Sequence, residues 1–241
     1  MTVPELLQFI NREFEAGAEP QFAKNLRWFF KETVDPYGVR GAQIRQLAAA
    51  VYREIKHWPA KQRDQVCEAL WKTGKLEGGI LVSHLYRRFY KQCGAREFAV
   101  FERWIDRYVR NWAHTDGVAS WLLAACIRND PALIERLYLW TRARNRWKRR
   151  ASAVALLQEA KQGRNTESIF RVADLLFGDA DEIVQKGVGW LLKEAYPRKP
   201  AATVDFLSER KAKASRLTLR YAAEKMTSDD KKTVLQRVVT P

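Results

Sequence analysis

Three short segments, LLAAC (122 to 126), LLQEA (156 to 160) and LLKEA (191 to 195), recur at offsets of 34 and 35 residues. Each heads the second half of an amphipathic helical pattern. This spacing is the period of a helical-pair repeat, and it constrains the fold more than any other feature of the chain. One pair of short helices cannot bury its own apolar face, so successive pairs must stack into a solenoid with a concave surface. An irregular helical bundle is the alternative. The stack predicts an all-α chain built as one repeat domain over residues 1–241.

The rest of the chain is consistent with helices. In QIRQLAAAVYREI, FERWIDRYVRNW, LIERLYLW, SIFRVADLLF and IVQKGVGWLLKEA the apolar side chains fall three and four apart, and strand-like alternation is absent. The pattern predicts roughly twelve to fourteen short helices. Pro4, Pro20, Pro59, Pro131 and Pro200 fall where helices are expected to begin, and Gly74, Gly94, Gly163 and Gly178 near where they are expected to end. Apolar residues make up 46% of the 241 positions and aromatics 12%, enough to fill a continuous core.

Cys67, Cys93 and Cys126 are odd in number and widely spaced, so neither a disulfide framework nor a CxxC pair is expected, and a reducing cytoplasm suits them. The opening residues MTVPELLQFINREFEAG carry early acids and no unbroken apolar run, so no secretory signal is expected. VASWLLAACI, at ten residues, is too short to span a membrane.

Charge narrows the partner. The chain has 43 Lys and Arg against 28 Asp and Glu, a net +15. That excess is beyond what solubility needs and points to a polyanion, nucleic acid before an anionic membrane surface or an acidic protein. RARNRWKRR (142 to 150) holds six basic residues and no acid, with Trp147 among them. Such runs are commonly solvated faces. Here the run opens a repeat, where its side chains would line the inner surface and track a phosphate backbone.

Most catalytic patterns are missing. His57, His84 and His114 lie far apart, which argues against a metal site. GVGWLL lacks the third glycine and the preceding strand of a dinucleotide loop, so Gly187 and Gly189 read as helix-packing positions. No P-loop and no Gly-x-Ser-x-Gly elbow occurs. Asp116 remains, in NWAHTDGVASWLLAACI (111 to 127). On a helix it stands one turn after Trp112 on the same face. Asp116 also reads as the N-cap of a helix starting at Gly117. Arg150 and Trp190 lie in the equivalent helices of the next two repeats, and a solenoid would turn all four side chains toward one strip.

These residues carry a resemblance. YGVRGAQIRQLA, WKRRASAV, QKGVGWLLKEA and SRLTLRYAAEKM, spread over nearly the whole chain, resemble the AlkD-type DNA glycosylases, the bacterial DNA alkylation repair family. QKGVGWLLKE is the most specific piece. The resemblance implies a C-shaped stack of HEAT-like repeats with a basic concave face holding duplex DNA that bears an alkylated purine. It implies hydrolysis of the glycosidic bond of 3-methyladenine and 7-methylguanine with the lesion left in the base stack, whereas glycosylases ordinarily flip their base. Trp112, Asp116 and Trp190 fall on the family's catalytic set, with Arg150 and Lys193 as DNA contacts, and Arg149 and Lys148 of the basic run are expected to join them. Phe29 falls where the family can have tyrosine, so that contact lacks a hydroxyl. No cofactor or metal is implied, no lysine nucleophile is needed, and a monomer acting on nucleoid DNA is expected. A non-catalytic HEAT-like module binding DNA or protein is the alternative.

Overall fold

The computed structural model describes residues 1–236. Their helix starts follow the cap chemistry written in the sequence. Helix α1 (Val3–Ala16) begins after Thr2, whose hydroxyl accepts from the Glu5 amide while the Glu5 carboxylate accepts from the Thr2 amide at 2.7 Å. The expected prolines fall in or just before first turns. Gly163, at φ +69°, closes a helix in the left-handed region, as expected of a terminal glycine. Gly94 departs from expectation: it opens a helix, its amide donating to the Glu97 carboxylate at 3.1 Å.

Two compact units divide the chain, Met1–Ala125 and the residues from Cys126 onward. In the first, α1 is followed by α2 (Pro20–Phe29), α3 (Gly41–Ile55), α4 (Ala60–Lys72), α5 (Leu76–Tyr86), α6 (Ala95–Arg107) and α7 (Trp112–Gly117). A π-helical turn (Val118–Leu123) then leads into α8 (Ala124–Asn129). Helices α3, α5 and α7 pack in succession as one row. Behind them α4 and α6 are joined by Trp71 and Trp104, ring centroids 6.2 Å apart, and both rings are buried.

The α2–α3 connection is held from below by one buried carboxylate. Glu77, in the first turn of α5, accepts from the amides of Tyr37, Gly38 and Val39 at 2.9, 2.8 and 3.1 Å. These bonds replace the water that a buried charge would otherwise need. Gly38 is required there: at φ +90° a side chain would place its first carbon 2.3 Å from the Glu19 carbonyl oxygen.

The second unit contains α9 (Ile134–Trp140), α10 (Arg146–Val154), α11 (Leu157–Gln162), α12 (Thr166–Leu176), α13 (Glu182–Ala195), α14 (Pro200–Arg210), α15 (Arg216–Ala222) and α16 (Ser228–Leu235). Helices α10, α13 and α15 form one row. On the other side Phe170 of α12 stacks on Phe206 of α14, centroids 5.0 Å apart. The core of this unit combines aliphatic side chains such as Val154, Val172, Val184, Val188, Leu191 and Leu219 with the buried rings of Trp140, Trp147, Phe177 and Phe206.

The helix starts within the two rows keep the period expected from three short segments. The row helices start at residues 41, 76, 112, 146, 182 and 216, steps of 35, 36, 34, 36 and 34. The described residues are all-α apart from one isolated bridge, Asp35 to Lys75. Among the described residues sixteen α-helical segments appear, and with the two interrupted paths each taken as one helix, α7 with α8 across the π turn and α10 with α11 across Ala155 and Leu156, they make fourteen, within the expected range. The three cysteines are buried thiols, and among the described residues no helix is long and apolar enough to cross a membrane.

Candidate functional site

The site is built locally from Asn111. Its backbone is extended (φ −147°, ψ 164°) and its side chain accepts from the His114 amide at 2.9 Å, so Asn111 is the N-cap and α7 begins at Trp112. This corrects the capping alternative for Asp116. Asp116 lies inside α7, one turn after Trp112, and Gly117 does not start a helix. Gly117 is instead a close-approach position: a side chain there would place its first carbon 2.7 Å from the Ser83 hydroxyl of α5.

After Asp116 the helix widens into the π turn, and Ser120 donates its hydroxyl to the Asp116 carbonyl at 2.7 Å. Such single π turns shift the side chains that follow by one position and recur at functional sites. No local propensity signals this turn, which is why reading the sequence missed it.

His114 fixes the start of α7 against α5. Its Nε2 lies 2.8 Å from the Leu76 carbonyl and its Nδ1 3.2 Å from the Asn111 amide nitrogen. The carbonyl can only accept and the amide nitrogen only donate, which assigns the Nε2–H tautomer. Burial holds the ring neutral, its pKa lowered to about 4 despite the Leu76 contact. Gly79 makes the room, since a side chain there would start 2.6 Å from His114 Nε2.

Trp112 is half-buried and stacks on Phe30, with centroids 5.1 Å apart and planes 15° apart; Phe29 meets it edge-on at 6.0 Å. Phe30, Val34 and Leu76 form the apolar cluster under these rings. Of the expected site residues the first unit thus brings together Trp112, Asp116 and Phe29. Phe30, the ring that fixes Trp112, was overlooked in the sequence, although the run WFF at the end of α2 carries it. Phe29 is 63% exposed and Trp28 89% exposed.

In the second unit the expected phosphate contacts are partly committed to the protein. Arg149 pairs with Asp179 at 2.6 Å and donates to the Ala143 and Arg144 carbonyls, while Arg146 pairs with Asp181 at 3.3 Å. Arg150 is buried, lies against Gly187, and donates from Nη1 to the Ile183 carbonyl at 2.6 Å. Half of the basic run 142–150 therefore ties α10 to α13 and the loop before it. The Lys148 ammonium lies 5.4 Å from the Trp140 ring centroid.

Trp190 is half-buried on α13, one turn before Glu194. Burial pushes the Glu194 carboxyl up, but Lys225, Lys161 and the Trp190 indole outweigh it, and its pKa is lowered. Lys225 binds Glu194 at 2.6 Å and Lys193 binds Glu224 at 2.7 Å. Glu224 is half-exposed, so its pair with Lys193 is weak and readily exchanged for another anion.

A register emerges from the helix starts. The fifth residue of the row helices is, in order, Arg45, Ile80, Asp116, Arg150, Lys186 and Arg220. Asp116 is the single acid at a position that is basic in four repeats. The cap of its own helix is Asn111, so the carboxylate is not needed as the N-cap there.

Residues 10–226 match the family model described as DNA alkylation repair enzyme. Among solved structures, the chain is similar to one described as a predicted DNA alkylation repair enzyme from Enterococcus faecalis, with a TM-score of 0.79 at 17% identity over 88% of this chain and 97% of that one. It is also similar to smu.31 from Streptococcus mutans UA159, with a TM-score of 0.57 at 15% identity over 76% of this chain and 100% of that one. These two likenesses show the fold. No match is found among curated proteins.

Proposed function

Because the chain belongs to the DNA alkylation repair enzyme family, we propose that it is a monofunctional DNA glycosylase acting on cationic alkylated purines, 3-methyladenine and 7-methylguanine, in duplex DNA without flipping the base. The observation that supports this reading best is the pairing on α7 of a tryptophan held by Phe30 with a carboxylate one turn later, on a helix whose N-cap role is already filled by Asn111. Asp116 is thereby released from a structural duty at the helix start.

The chemistry follows from the leaving group. An alkylated purine is cationic, so the electron pair of the glycosidic bond passes to the base nitrogen, the base departs neutral, and positive charge develops on the deoxyribose. The Asp116 carboxylate stabilises that charge and orients a water. The water oxygen bonds to C1′ and its proton passes to solvent, leaving an abasic site. The faces of Trp112 and Trp190 attract the sugar cation by about 0.5 to 2 kcal/mol each. Arg150, Lys193, Arg149 and Lys148 act on phosphates, with Arg149 doing so chiefly by holding α10, and Phe29 offers an apolar edge to the backbone. No cofactor or metal enters these steps. The product is the abasic substrate of base excision repair, and the reading takes the chain as one HEAT-like repeat domain working as a monomer.

The test is release of free base from methylated duplex DNA. Free 7-methylguanine and 3-methyladenine are expected, with alkali-labile sites and no strand breaks before alkali. Binding of the duplex without base release would overturn the glycosylase reading and leave a helical-repeat binding module.

A further inference from the structure

Several basic side chains are balanced by carboxylates, as in Arg96 with Asp64, Arg103 with Glu68 and Arg149 with Asp179. One group in the first unit is not. Arg45 of α3 and Arg87 and Arg88, which follow α5, are exposed, and among the described residues none of the three pairs with a carboxylate. Arg87 shares the Trp121 ring with His84, near the end of α5, and all three guanidinium groups act on the charge of His84. The Arg87 guanidinium lies 4.6 Å from the Trp121 ring centroid, the His84 ring 4.8 Å from the same ring, and the Arg88 guanidinium 5.6 Å from the Tyr52 ring.

We propose that Arg45, Arg87 and Arg88, grouped with His84 and backed by Trp121 and Tyr52, form a phosphate-binding site that takes a phosphodiester of the DNA backbone. The inference rests on the reading of the chain as a duplex-binding repair enzyme and adds a contact that this reading does not contain. Guanidinium forks match phosphate oxygens two at a time, and an aromatic face under the fork holds its plane without using its N–H donors. Trp121 and Tyr52 therefore preorder Arg87 and Arg88 while leaving their hydrogen-bonding edges for a ligand. A charge group left unopposed on an exposed surface raises the local potential toward an anion.

The neighbouring imidazole reports the same potential. Burial, then Arg87, Arg45 and Arg88, lower the pKa of His84 to about 4, and no carboxylate contributes in the other direction. His84 is thus a neutral ring among three cations, able to donate one hydrogen bond to a phosphate oxygen. The repeat register points to the backbone of DNA as the source of that phosphate. Counted from the first residue of their helices, His84 and Arg87 are the ninth and twelfth positions of the α5 repeat, as Trp190 and Lys193 are of α13. The same two positions thus carry a ring and a cation in two repeats.

The test uses the full chain and an undamaged labelled duplex, with affinity measured across a salt series for the parent, Arg87→Ala/Arg88→Ala and Arg45→Ala. Melting temperature serves as the fold control, and Arg87→Lys/Arg88→Lys keeps the charge if the alanine variant fails to fold. Loss of one or two phosphate contacts is expected to weaken binding about tenfold or more near physiological salt and to flatten the slope of log affinity against log salt by about 0.9 per contact. The lysine variant is expected to keep the parental slope. Inorganic pyrophosphate and a polyglutamate peptide are the competing probes. Parental affinity and slope in the alanine variants would overturn the proposal, as would a cluster-dependent affinity for the peptide with none for the duplex. Base release by the parent is read separately: a parent that releases none while its duplex affinity depends on the cluster would remove the glycosylase reading and leave this site standing.

Discussion

His114 shows how one buried side chain ties the site to the stability of the fold. Its ring is neutral in the folded protein, its pKa lowered by burial to about 4 from an ordinary 6.5, whereas the unfolded chain takes up a proton below 6.5. The unfolded state therefore binds more protons over that window, and stability present above pH 6.5 is lost as pH falls toward 4. Between pH 7 and 5 the loss from this group alone is on the order of 2 kcal/mol. Urea melts of the parent and His114→Asn across that range test it: the parent is expected to weaken with acid and the variant to weaken less. Equal pH profiles would contradict the assignment. The sequence held little of this, because a histidine whose partners are Leu76 and Asn111 carries no local pattern. The position of Asp116 was half legible. Its spacing from Trp112 was readable, but the capping alternative stood beside it because the true cap, Asn111, lies before a helix too short to show a period.

The row helices were legible as elements because each must turn an apolar stripe inward, and that stripe repeats every three to four residues. Their interruptions were not. The π turn after Asp116 and the break at Ala155 and Leu156 depend on how neighbouring turns meet, and the carboxylate of Glu77 holds amides some forty residues earlier in the chain. Gly187 and Gly189 were read together as packing glycines, and the structure separates them. A side chain at Gly189 would start 2.5 Å from Tyr221 Cβ and 2.9 Å from the Thr218 carbonyl oxygen, so α13 and α15 meet backbone to backbone there. At Gly187 the nearest atom is in the Arg150 side chain, at 3.4 Å. Gly189→Ala is expected to cost about 1 to 3 kcal/mol through overpacking. Gly187→Ala is expected to stay within about 1 kcal/mol of the parent, helped by the better helix propensity of alanine. Denaturant midpoints check the contrast, and equal losses at both positions would contradict the packing described for α13. Arg150→Ala is expected to lower stability as well as DNA affinity, since the Ile183 carbonyl loses its donor.

For the whole chain, the repeat period and the charge were the legible quantities. A helical pair with its two turns has a nearly fixed length, so three short segments sufficed to predict helix starts that step by 34 to 36 residues within the two rows. The net charge of +15 was equally plain. Its distribution was not, because half of the most basic run is spent inside the second unit and an unopposed group lies in the first. Binding to duplex DNA is expected to show little sequence preference and to fall steeply with added salt, as phosphate contacts release counterions. Affinity that ignored salt between 50 and 200 mM, roughly the range over which such contacts are screened, would contradict the electrostatic account.

The most direct measurement is the single-turnover rate of 7-methylguanine release from methylated duplex DNA by the parent and by Asp116→Asn. Asparagine keeps the shape of the side chain and, on a helix capped by Asn111, leaves the start of α7 intact. The variant is expected to melt within a few degrees of the parent, to bind the duplex, and to release the base about a hundredfold more slowly or worse, the usual cost of one preorganised charge. Release by Asp116→Asn at the parental rate would contradict the account, and the roles given to Trp112 and Trp190 would fall with it.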